Sequence, residues 1–549
     1  MSEGPGPRPR PACGGCPGGC PGGCPGALDA KIAAAAARDL PLAASILREA
    51  IRIPADFVDR PPGAPAGAPA AGGSGSGSGG DPLCGTSNHE GPRLGYLRRA
   101  IVETGAVTHE DDVGYDAFGN LAWVLEDRSD GIPREHKRVI YLDGHADTVK
   151  PLRAQWHEKT GGLDPFLGLV DPGRLNHEFL RRELGWLPPD AEWEHLVFGR
   201  GAADQLGGVV AQIIASRILA QLIPEGALRG VILRGVITVA EEDNEGGGPL
   251  YLMRRVLPGA PPAMIPDVVI LTEMTGDTRN GALVIRRGQR GRMMIEVRLT
   301  GRSCHGSIPR EGLNPLEHGG AILAEAAAKH ERREGFREDP LLGSGSRTAT
   351  WAALETPSDC SVPERFTFRL DRRLTTGEDP EQALRDVESL ETVRRARAAG
   401  LTVEVSVPVY DQPTWRGYVP GNPQVYLSWQ TPEEHPAIQA ALATYRGVVT
   451  PHVDVRAEEG GSLRREPHLD RWVFSTDGVG WPTPVSEQAL QVPEHKRWVA
   501  AGEYRHPAMF GFGSGIMQNA HKIGEAVDLR ELQHAIAFLA RYPSVFAEM

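Results

Sequence analysis

Residues 231–248, VILRGVITVAEEDNEGGG, decide how the rest of this 549-residue chain is interpreted. The first half is an apolar, β-branched run, which predicts a buried strand. The run ends in two adjacent carboxylates, Glu241 and Glu242, followed by an acidic loop rich in glycine. Two glutamates at a buried strand end repel each other and lose hydration unless a cation lies beside them. Taken alone, such a stretch is more often a solvated acidic turn, so its meaning depends on the other strand ends.

Composition limits the classes of protein to which the chain can belong. Hydrophobic residues make up 40% and charged residues 24%, as in a globular protein long enough for several domains. Lys+Arg 59 against Asp+Glu 71 gives a net charge of -12, which argues against a nucleic-acid or anionic-membrane surface. No run approaches the ~20 apolar residues of a membrane span. The N-terminus has no apolar signal core, so we expect a cytoplasmic protein.

Two low-complexity tracts interrupt the chain. Residues 1–26 form a Gly/Pro tract that contains four of the seven cysteines. These four are Cys13, Cys16, Cys20 and Cys24. Four thiolates are the ligands of a soft-metal carrier, which is one interpretation, but the repetitive composition predicts a disordered tail. Residues 61–92 include GGSGSGSGG and predict a flexible insertion.

The alternation of predicted strands and helices indicates an α/β fold. We expect a mixed, mainly parallel sheet flanked by helices, built from residues 27–285 and 413–549. Between them, residues 286–412 follow a βαββαβ order, which predicts an inserted α+β domain. A further insertion at 151–196 is rich in tryptophan and charge.

Several acidic and imidazole residues share one placement, just beyond the carboxyl end of a predicted strand. They are His145 with Asp147, Asp204, Glu241 with Glu242, and Glu273. In an open α/β sheet that edge is where ligands bind. His145 and Asp147 are two residues apart, so an extended backbone points both the same way. His145 can then bind a metal while Asp147 orients its ring.

A series of motifs gives this pattern a family resemblance. In chain order they are GHAD (144–147), GRGAADQLGG (199–208), VAEED (239–243), LTEMT (271–275), GQRGRMMIEVRLTGRSCHGS (288–307) and NAHKIGE (519–525). Together they resemble the co-catalytic zinc amidohydrolases and exopeptidases. That group includes aminoacylase, acetylornithine deacetylase, succinyl-diaminopimelate desuccinylase and glutamate carboxypeptidase. The resemblance spans about residues 38–549 and is strongest to the hydrolase branch linked to selenium metabolism, which shares DRRLT (371–375).

The resemblance implies a site for two Zn²⁺ ions, with Co²⁺ or Mn²⁺ as alternatives. The implied ligands are His145 and Glu273 for one metal, Glu242 and His521 for the other, and Asp204 as the bridge. Two metals in such sites lie about 3.5–4 Å apart. Glu241 would be the general base, taking a proton from water and giving it to the leaving amine. Relatives also often hold the peptide bond after the bridging aspartate, here Asp204–Gln205, in the cis form.

The substrate pocket departs from the family pattern. Arg372 falls where relatives carry an arginine that binds the substrate carboxylate, and its neighbour Arg373 is the alternative. Gly524 stands where relatives often have asparagine. Cys360 and Ser361 stand where relatives place another asparagine.

His305, in the run SCHGS, is far in sequence from every predicted ligand. By residue type it suits a polar turn. Relatives use the matching histidine across a dimer interface, where it stabilises an oxyanion in the partner's site. The resemblance therefore implies a homodimer joined through residues 286–412, and we expect an edge strand at about 293–300 to mediate the pairing.

These features predict a metal-dependent hydrolase that cleaves an amide bond of an N-acyl or N-carbamoyl amino acid or of a small peptide. A dipeptidase or aminopeptidase would need the same metals. A binding protein that kept the fold but lost activity is the alternative of another class. Such a protein would be expected to lack Glu241 or a ligand, and the sequence keeps them all.

Overall fold

The computed structural model describes residues 25–55, 88–168, 172–453, 462–484, 498–501 and 504–549. The predicted Cys-rich tail lies outside the described residues up to residue 24. Most of the predicted insertion at 61–92 also lies outside them, up to residue 87. In the part of the chain that is described, the α/β fold with an inserted α+β unit is confirmed.

The main sheet is parallel at its centre and antiparallel at its flanks. Strand Arg138–His145 lies between Val231–Thr238 and Val268–Leu271, and all three run parallel. Within the described ranges the sheet has nine strands. In spatial order, eight of them are Val113–Tyr115, Leu121–Glu126, Val231–Thr238, Arg138–His145, Val268–Leu271, Ala508–Gly511, Ile285–Gln289 and Trp429–Gln430, and Leu469–Trp472 also pairs with Ile285–Gln289. The central strands are continuous apolar runs because both faces of this sheet are covered.

Helices build the larger core on one face of the sheet. They are Pro25–Arg52, Gly91–Glu103, Gly207–Gln221, Pro436–Val448 and Leu529–Ala547. Ile140 and Leu142 point into this core, whereas Val139 and Tyr141 point to the opposite face. Alternate residues of one strand face opposite sides of a sheet, so the central strand is buried on both faces.

The inserted unit is an antiparallel sheet covered by helices on one face. In the described part of the chain its strands, in spatial order, are Ser346–Glu355, Arg365–Leu374, Gly291–Thr300 and Thr402–Ser406, and Val425–Tyr426 also pairs with Gly291–Thr300. The helices are Pro315–Glu331, Pro380–Glu388 and Glu391–Ala398. The last two replace the single predicted helix, because Leu390 leaves the helical conformation and buries its side chain.

The prediction that residues 293–300 form an edge strand is wrong. Strand Gly291–Thr300 pairs with Arg365–Leu374 on one side and with Thr402–Ser406 on the other. Strand Ser346–Glu355 lies at the edge instead, and most of its residues are exposed. Hydrophobic alternation identified the strands but carried no information about which of them lies inside the sheet.

The insertion at 151–196 forms short helices around a small core of its own. The helices are Arg153–Thr160, His177–Glu183 and Asp190–His195. Trp156, Leu180 and Trp193 pack there with Ile523 and Ala526, which follow His521 in the chain. The insertion therefore supports the loop that carries the last predicted ligand. Among the described residues, no helix combines the length and apolar character needed to cross a membrane.

Candidate metal centre

The carboxyl ends of three neighbouring parallel strands bring the predicted site residues together. His145 is the last residue of its strand, Glu241 and Glu242 follow strand Val231–Thr238, and Glu273 follows strand Val268–Leu271. Two further residues reach the same place from connecting segments. Asp204 lies just before helix Gly207–Gln221, and His521 lies in the loop before helix Leu529–Ala547.

Asp204 lies between the two histidines and offers one oxygen to each. Its Oδ1 is 3.1 Å from His145 Nε2, and its Oδ2 is 3.0 Å from His521 Nε2. On the two sides of this pair, Glu273 Oε1 is 3.4 Å from His145 Nε2 and Glu242 Oε2 is 3.2 Å from His521 Nε2. The donors therefore fall into two groups that share Asp204, which is the arrangement expected of a bridged pair of cations.

The donor set fits divalent metal ions. It consists of imidazole nitrogens and carboxylate oxygens without thiolate, which suits Zn²⁺, Co²⁺ or Mn²⁺. One donor atom from each of His145, Asp204 and Glu242 lies within 4.8 Å of the others. Glu273 Oε2 is buried and has no hydrogen-bond partner among the described residues, as expected of an oxygen reserved for a ligand.

The electrostatics of the cluster favour added positive charge. Burial raises the pKa of Glu241 well above its ordinary value, and burial together with Asp204 raises the pKa of Glu242 to about 7. Burial opposes ionisation of Asp204, but hydrogen bonds from His145 and His521 outweigh it and lower the pKa of that carboxyl. Attraction to Glu242 raises the pKa of His521 to about 11. Divalent cations are the groups that proteins use to stabilise so many buried carboxylates.

Asp147 organises the strand ends around the cluster. Its two carboxylate oxygens accept the backbone N–H groups of Glu241, at 3.1 Å, and of Glu242, at 2.9 Å. Its Oδ1 is also 3.3 Å from His145 Nδ1. This completely buried carboxylate therefore fixes both the ring of His145 and the turn that carries the two glutamates.

A buried ion pair, absent from the site predicted from sequence, supports Asp204. Glu525 Oε1 accepts the backbone N–H groups of Ala203 and Asp204, and its Oε2 accepts from Arg200 at 2.6 Å. Arg200 also donates to the carbonyl oxygen of His521. The Asp204–Gln205 peptide bond is cis, as predicted. The pairing joins residues more than 300 positions apart, so no local pattern in the sequence could reveal it.

Helix Gly91–Glu103 contributes two further residues that sequence reasoning missed. Glu90, at its start, accepts the backbone N–H of Ala240 at 2.8 Å, and Arg93 donates to the carbonyl oxygen of Ala146 at 2.6 Å. Both side chains are fully buried. They hold the backbone just before Glu241 and just after His145.

Comparison with known proteins finds similarity to metal-dependent peptidases and amidohydrolases. Residues 287–392 match the family profile of the M20 peptidase dimerisation domain. The uncharacterized protein YgeY of Escherichia coli strain K12 is 29% identical over 398 residues, covering 71% of this chain and 81% of that protein. Succinyl-diaminopimelate desuccinylase of Wolinella succinogenes is 28% identical over 202 residues, covering 35% of this chain and 52% of that enzyme. These similarities support a metal-dependent hydrolase of amide or peptide bonds that carries an M20-type dimerisation domain.

Solved structures show the same fold. The M20 family metallo-carboxypeptidase Sso-CP2 from Sulfolobus solfataricus superposes with a TM-score of 0.58 at 13% identity. The superposition covers 93% of this chain and 99% of that one. The dimerisation-domain match at 287–392 lies within the inserted unit.

The surroundings of Arg372 give it a structural partner within its own chain. Its guanidinium is 3% exposed, pairs with Glu378 at 2.7 Å and stacks over the ring of Phe336 at 4.3 Å. Arg373, the next residue along the strand, points to the other face of the sheet, where it pairs with Asp371 at 2.7 Å and donates to Ser475 Oγ at 2.6 Å. In a run of two arginines, the sequence alone did not reveal which of them is buried.

Two more arginines lie close to Arg373. Burial lowers the pKa of Arg290, and the positive charges of Arg471 and Arg373 lower it further. Arg290 Nε and Arg471 Nη1 are buried and have no hydrogen-bond partner among the described residues. The guanidinium of Arg290 donates to the carbonyl oxygen of Val473, in the segment that leads to the metal centre. This arginine cluster, made of Arg290, Arg373 and Arg471, suits an anionic group.

His305 is exposed and lies in the inserted unit, where its short strand pairs with Ser361 and Val362. Its Nδ1 accepts the backbone N–H of Ser307 at 3.1 Å. In the neutral ring the proton is therefore on Nε2, which is then a hydrogen-bond donor. Cys360 and Ser361, where relatives carry asparagine, lie beside this histidine.

Proposed function

We propose that this chain hydrolyses the amide bond of an N-acyl or N-carbamoyl amino acid. The observation that carries the proposal is the position of the Glu241 carboxylate beside the candidate metal ligands. It is buried, its Oε2 lies 3.8 Å from His145 Nε2, and burial raises its pKa, which suits a group that accepts a proton and later returns it. Its neighbour Glu242 lies closer to His521 and joins the ligand set.

Two roles are needed at this site: some residues hold the cations, and another residue transfers a proton. We infer that two Zn²⁺ ions are held by the following ligands: His145, Asp204, Glu242, Glu273 and His521. When bound, such ions polarise a carbonyl and lower the pKa of water. Glu241 takes the proton of the attacking water and gives it to the leaving amine. Asp147 keeps Glu241 in place through the backbone hydrogen bond.

The arginine cluster supports a substrate that carries a free carboxylate. Arg373 reaches Ser475, and Asp477, two residues further, accepts a hydrogen bond from Thr238 at the end of the strand that delivers Glu241. The cluster and the metal centre are therefore joined by one short segment. Arg290 and Arg471 each keep one buried N–H donor without a partner among the described residues, whereas Arg373 would have to exchange its pair with Asp371 for the substrate. Guanidinium groups bind carboxylates well. We assign the substrate carboxylate to Arg373 with Arg290, in place of Arg372.

The dimerisation-domain match supports a homodimer formed through residues 286–412. We propose that His305 acts in the partner's site, where its Nε2–H would stabilise the oxyanion formed during amide hydrolysis. Cytoplasmic localisation stays a prediction from the sequence.

A hydrolysis screen tests the proposal. The substrates are N-acetyl, N-succinyl and N-carbamoyl amino acids and dipeptides, each with Zn²⁺, Co²⁺ or Mn²⁺, and the matched control substrates have the α-carboxylate amidated. We expect cleavage of acyl amino acids, with kcat/KM reduced about 10–100-fold by amidation, because a charged hydrogen bond contributes about 1.5–3 kcal/mol. Preference for free dipeptides would favour the peptidase alternative, and no cleavage with any of the three metals would contradict the proposed function.

A further inference from the structure

A single helical turn, Glu241–Asn244, carries both central glutamates, and it is held at both ends. At its start, Asp147 of the main sheet accepts the N–H groups of Glu241 and Glu242. At its end, Asn244 is bonded to residues that return from the inserted unit. The main sheet therefore holds the start of the turn that carries the two glutamates, and residues from the inserted unit hold its end.

The bonds at Asn244 are numerous and buried. Its side chain exchanges two amide hydrogen bonds with Asn422, at 3.1 and 3.0 Å. The hydroxyl of Tyr426 lies 2.8 Å from Asn244 Oδ1, donates to the carbonyl oxygen of Asn244, and accepts from Asn422 at 2.9 Å. Asn244 is completely buried, and Asn422 and Tyr426 are 8% and 3% exposed. Tyr426 therefore caps the carbonyl end of the turn.

An ion pair follows directly after these amide bonds. Glu245 has a φ of 49°, a conformation that a residue with a side chain keeps only when its surroundings hold it. Its Oε1 is 2.6 Å from Arg292, which also pairs with Asp371 at 3.2 Å. Arg292 and Asp371 belong to neighbouring strands of the inserted sheet, and Tyr426 pairs with Arg292 in that sheet.

We infer that Tyr426, Asn422 and Arg292 are positioning residues that tie the orientation of Glu241 and Glu242 to the inserted sheet. This inference rests on the proposed function. A movement of the inserted sheet relative to the main sheet would act on both glutamates through one helical turn, about 5.4 Å long. Displacement of a reacting group by about 1 Å can lower a rate about 10²-fold. The inserted unit thus acts on chemistry within its own chain, apart from any role in dimerisation.

The test compares Tyr426→Phe with Tyr504→Phe. Both changes remove one buried hydroxyl group, but Tyr504 bonds to Ser428 and has no part in the bonds at Asn244. We expect Tyr426→Phe to weaken Zn²⁺ binding to the metal-free protein about 10–100-fold in calorimetric titration, as is typical when a partner of a ligand-bearing segment is lost. With the best substrate of the screen, kcat should fall by the same factor while KM changes less than about threefold.

Arg292→Lys is the second variant, because it keeps the charge and loses the forked contact to Glu245 and Asp371. Like Tyr426→Phe, Arg292→Lys should weaken Zn²⁺ binding. Its melting temperature should stay near that of Tyr504→Phe. If both variants bind Zn²⁺ and turn over as Tyr504→Phe does, the inference is overturned. The titration needs no substrate, so a wild-type chain that cleaves nothing would contradict the proposed function and leave this inference to be decided by Zn²⁺ affinity.

Discussion

Gly524, three residues after His521, shows how the insertion at 151–196 reshapes the site. Its φ is 88°, and a β-carbon placed there would lie 2.2 Å from Leu180 Cδ2 of the insertion. The family resemblance leads us to expect asparagine at this position. In this chain Leu180 occupies the space that such a side chain would need, so the departure from the family pattern has a steric cause.

We predict that Gly524→Ala destabilises the protein more than Gly105→Ala. Both glycines have a positive φ, but nothing lies within 4 Å of a β-carbon at Gly105. The clash with Leu180 should add about 1–3 kcal/mol to the loss of stability, as overpacking does. Thermal unfolding of both variants measures the difference. Equal losses would show that Leu180 does not restrict Gly524, and Leu180→Ala should relieve part of the effect in the double variant.

Arg372 and Arg373 should respond to substitution in opposite ways. Arg372→Ala leaves Glu378 buried without its partner, and we expect a loss of stability of about 3–5 kcal/mol. Arg373→Ala should lower stability less, because Asp371 loses Arg373 but keeps its pair with Arg292 at 3.2 Å. It should raise KM about 10–100-fold, because one charged hydrogen bond to substrate is worth about 1.5–3 kcal/mol. Unfolding and steady-state kinetics of the two variants give the answer. If KM rises for Arg372→Ala alone, the carboxylate assignment is wrong.

Among the elements, the positions of the strands in the sequence were easier to predict than the strands with which each one pairs. Apolar runs such as VILRGVIT mark the buried strands, and polar residues at their ends mark the ligand edge. Contacts between segments that are distant in the chain have no such pattern in the sequence. The Arg200–Glu525 pair, the Asn244–Asn422 bonds and the interior place of strand Gly291–Thr300 each join segments distant in sequence. Chain order does not encode these partners, so only the folded structure reveals them.

Removing the metals should loosen the strand ends and spare the inserted sheet. Without cations, the buried carboxylates of the cluster repel one another. We predict faster amide hydrogen exchange at 239–247 and 519–525 after chelation, and unchanged exchange in helix Pro315–Glu331, which packs in the separate core of the inserted unit. Hydrogen-exchange mass spectrometry with and without chelator checks this. Unchanged exchange at both segments would argue against metal ligands there.

For the whole molecule, the exposed edge strand Ser346–Glu355 is our candidate for pairing between subunits. Leu354 on this strand is 43% exposed. An unpaired edge with apolar side chains invites pairing with a second copy of the chain. We predict that His305→Ala and Glu241→Ala chains, each inactive alone, recover about a quarter of wild-type activity after random mixing, since half the dimers then hold one intact site.

The same experiment locates the interface. Leu354→Lys, added to both chains, should prevent dimer formation and abolish the recovered activity. Val409→Lys is the control, because Val409 is 55% exposed and lies elsewhere in the inserted unit. Light scattering reports the mass in each case. Subunit exchange without recovery would remove His305 from the partner's site, whereas a dimer that survives Leu354→Lys would place the interface on another surface.

The central claim, that Glu241 moves the proton while its neighbours hold the metals, is tested most directly by Glu241→Gln. Metal content by elemental analysis and kcat are measured on the same preparation. We predict two metal ions per chain, as in the wild type, and a kcat lowered at least about 10²-fold, the lower bound for loss of a general base. A variant that keeps its metals and more than about a tenth of wild-type turnover would contradict the claim, because general-base catalysis contributes far more than that.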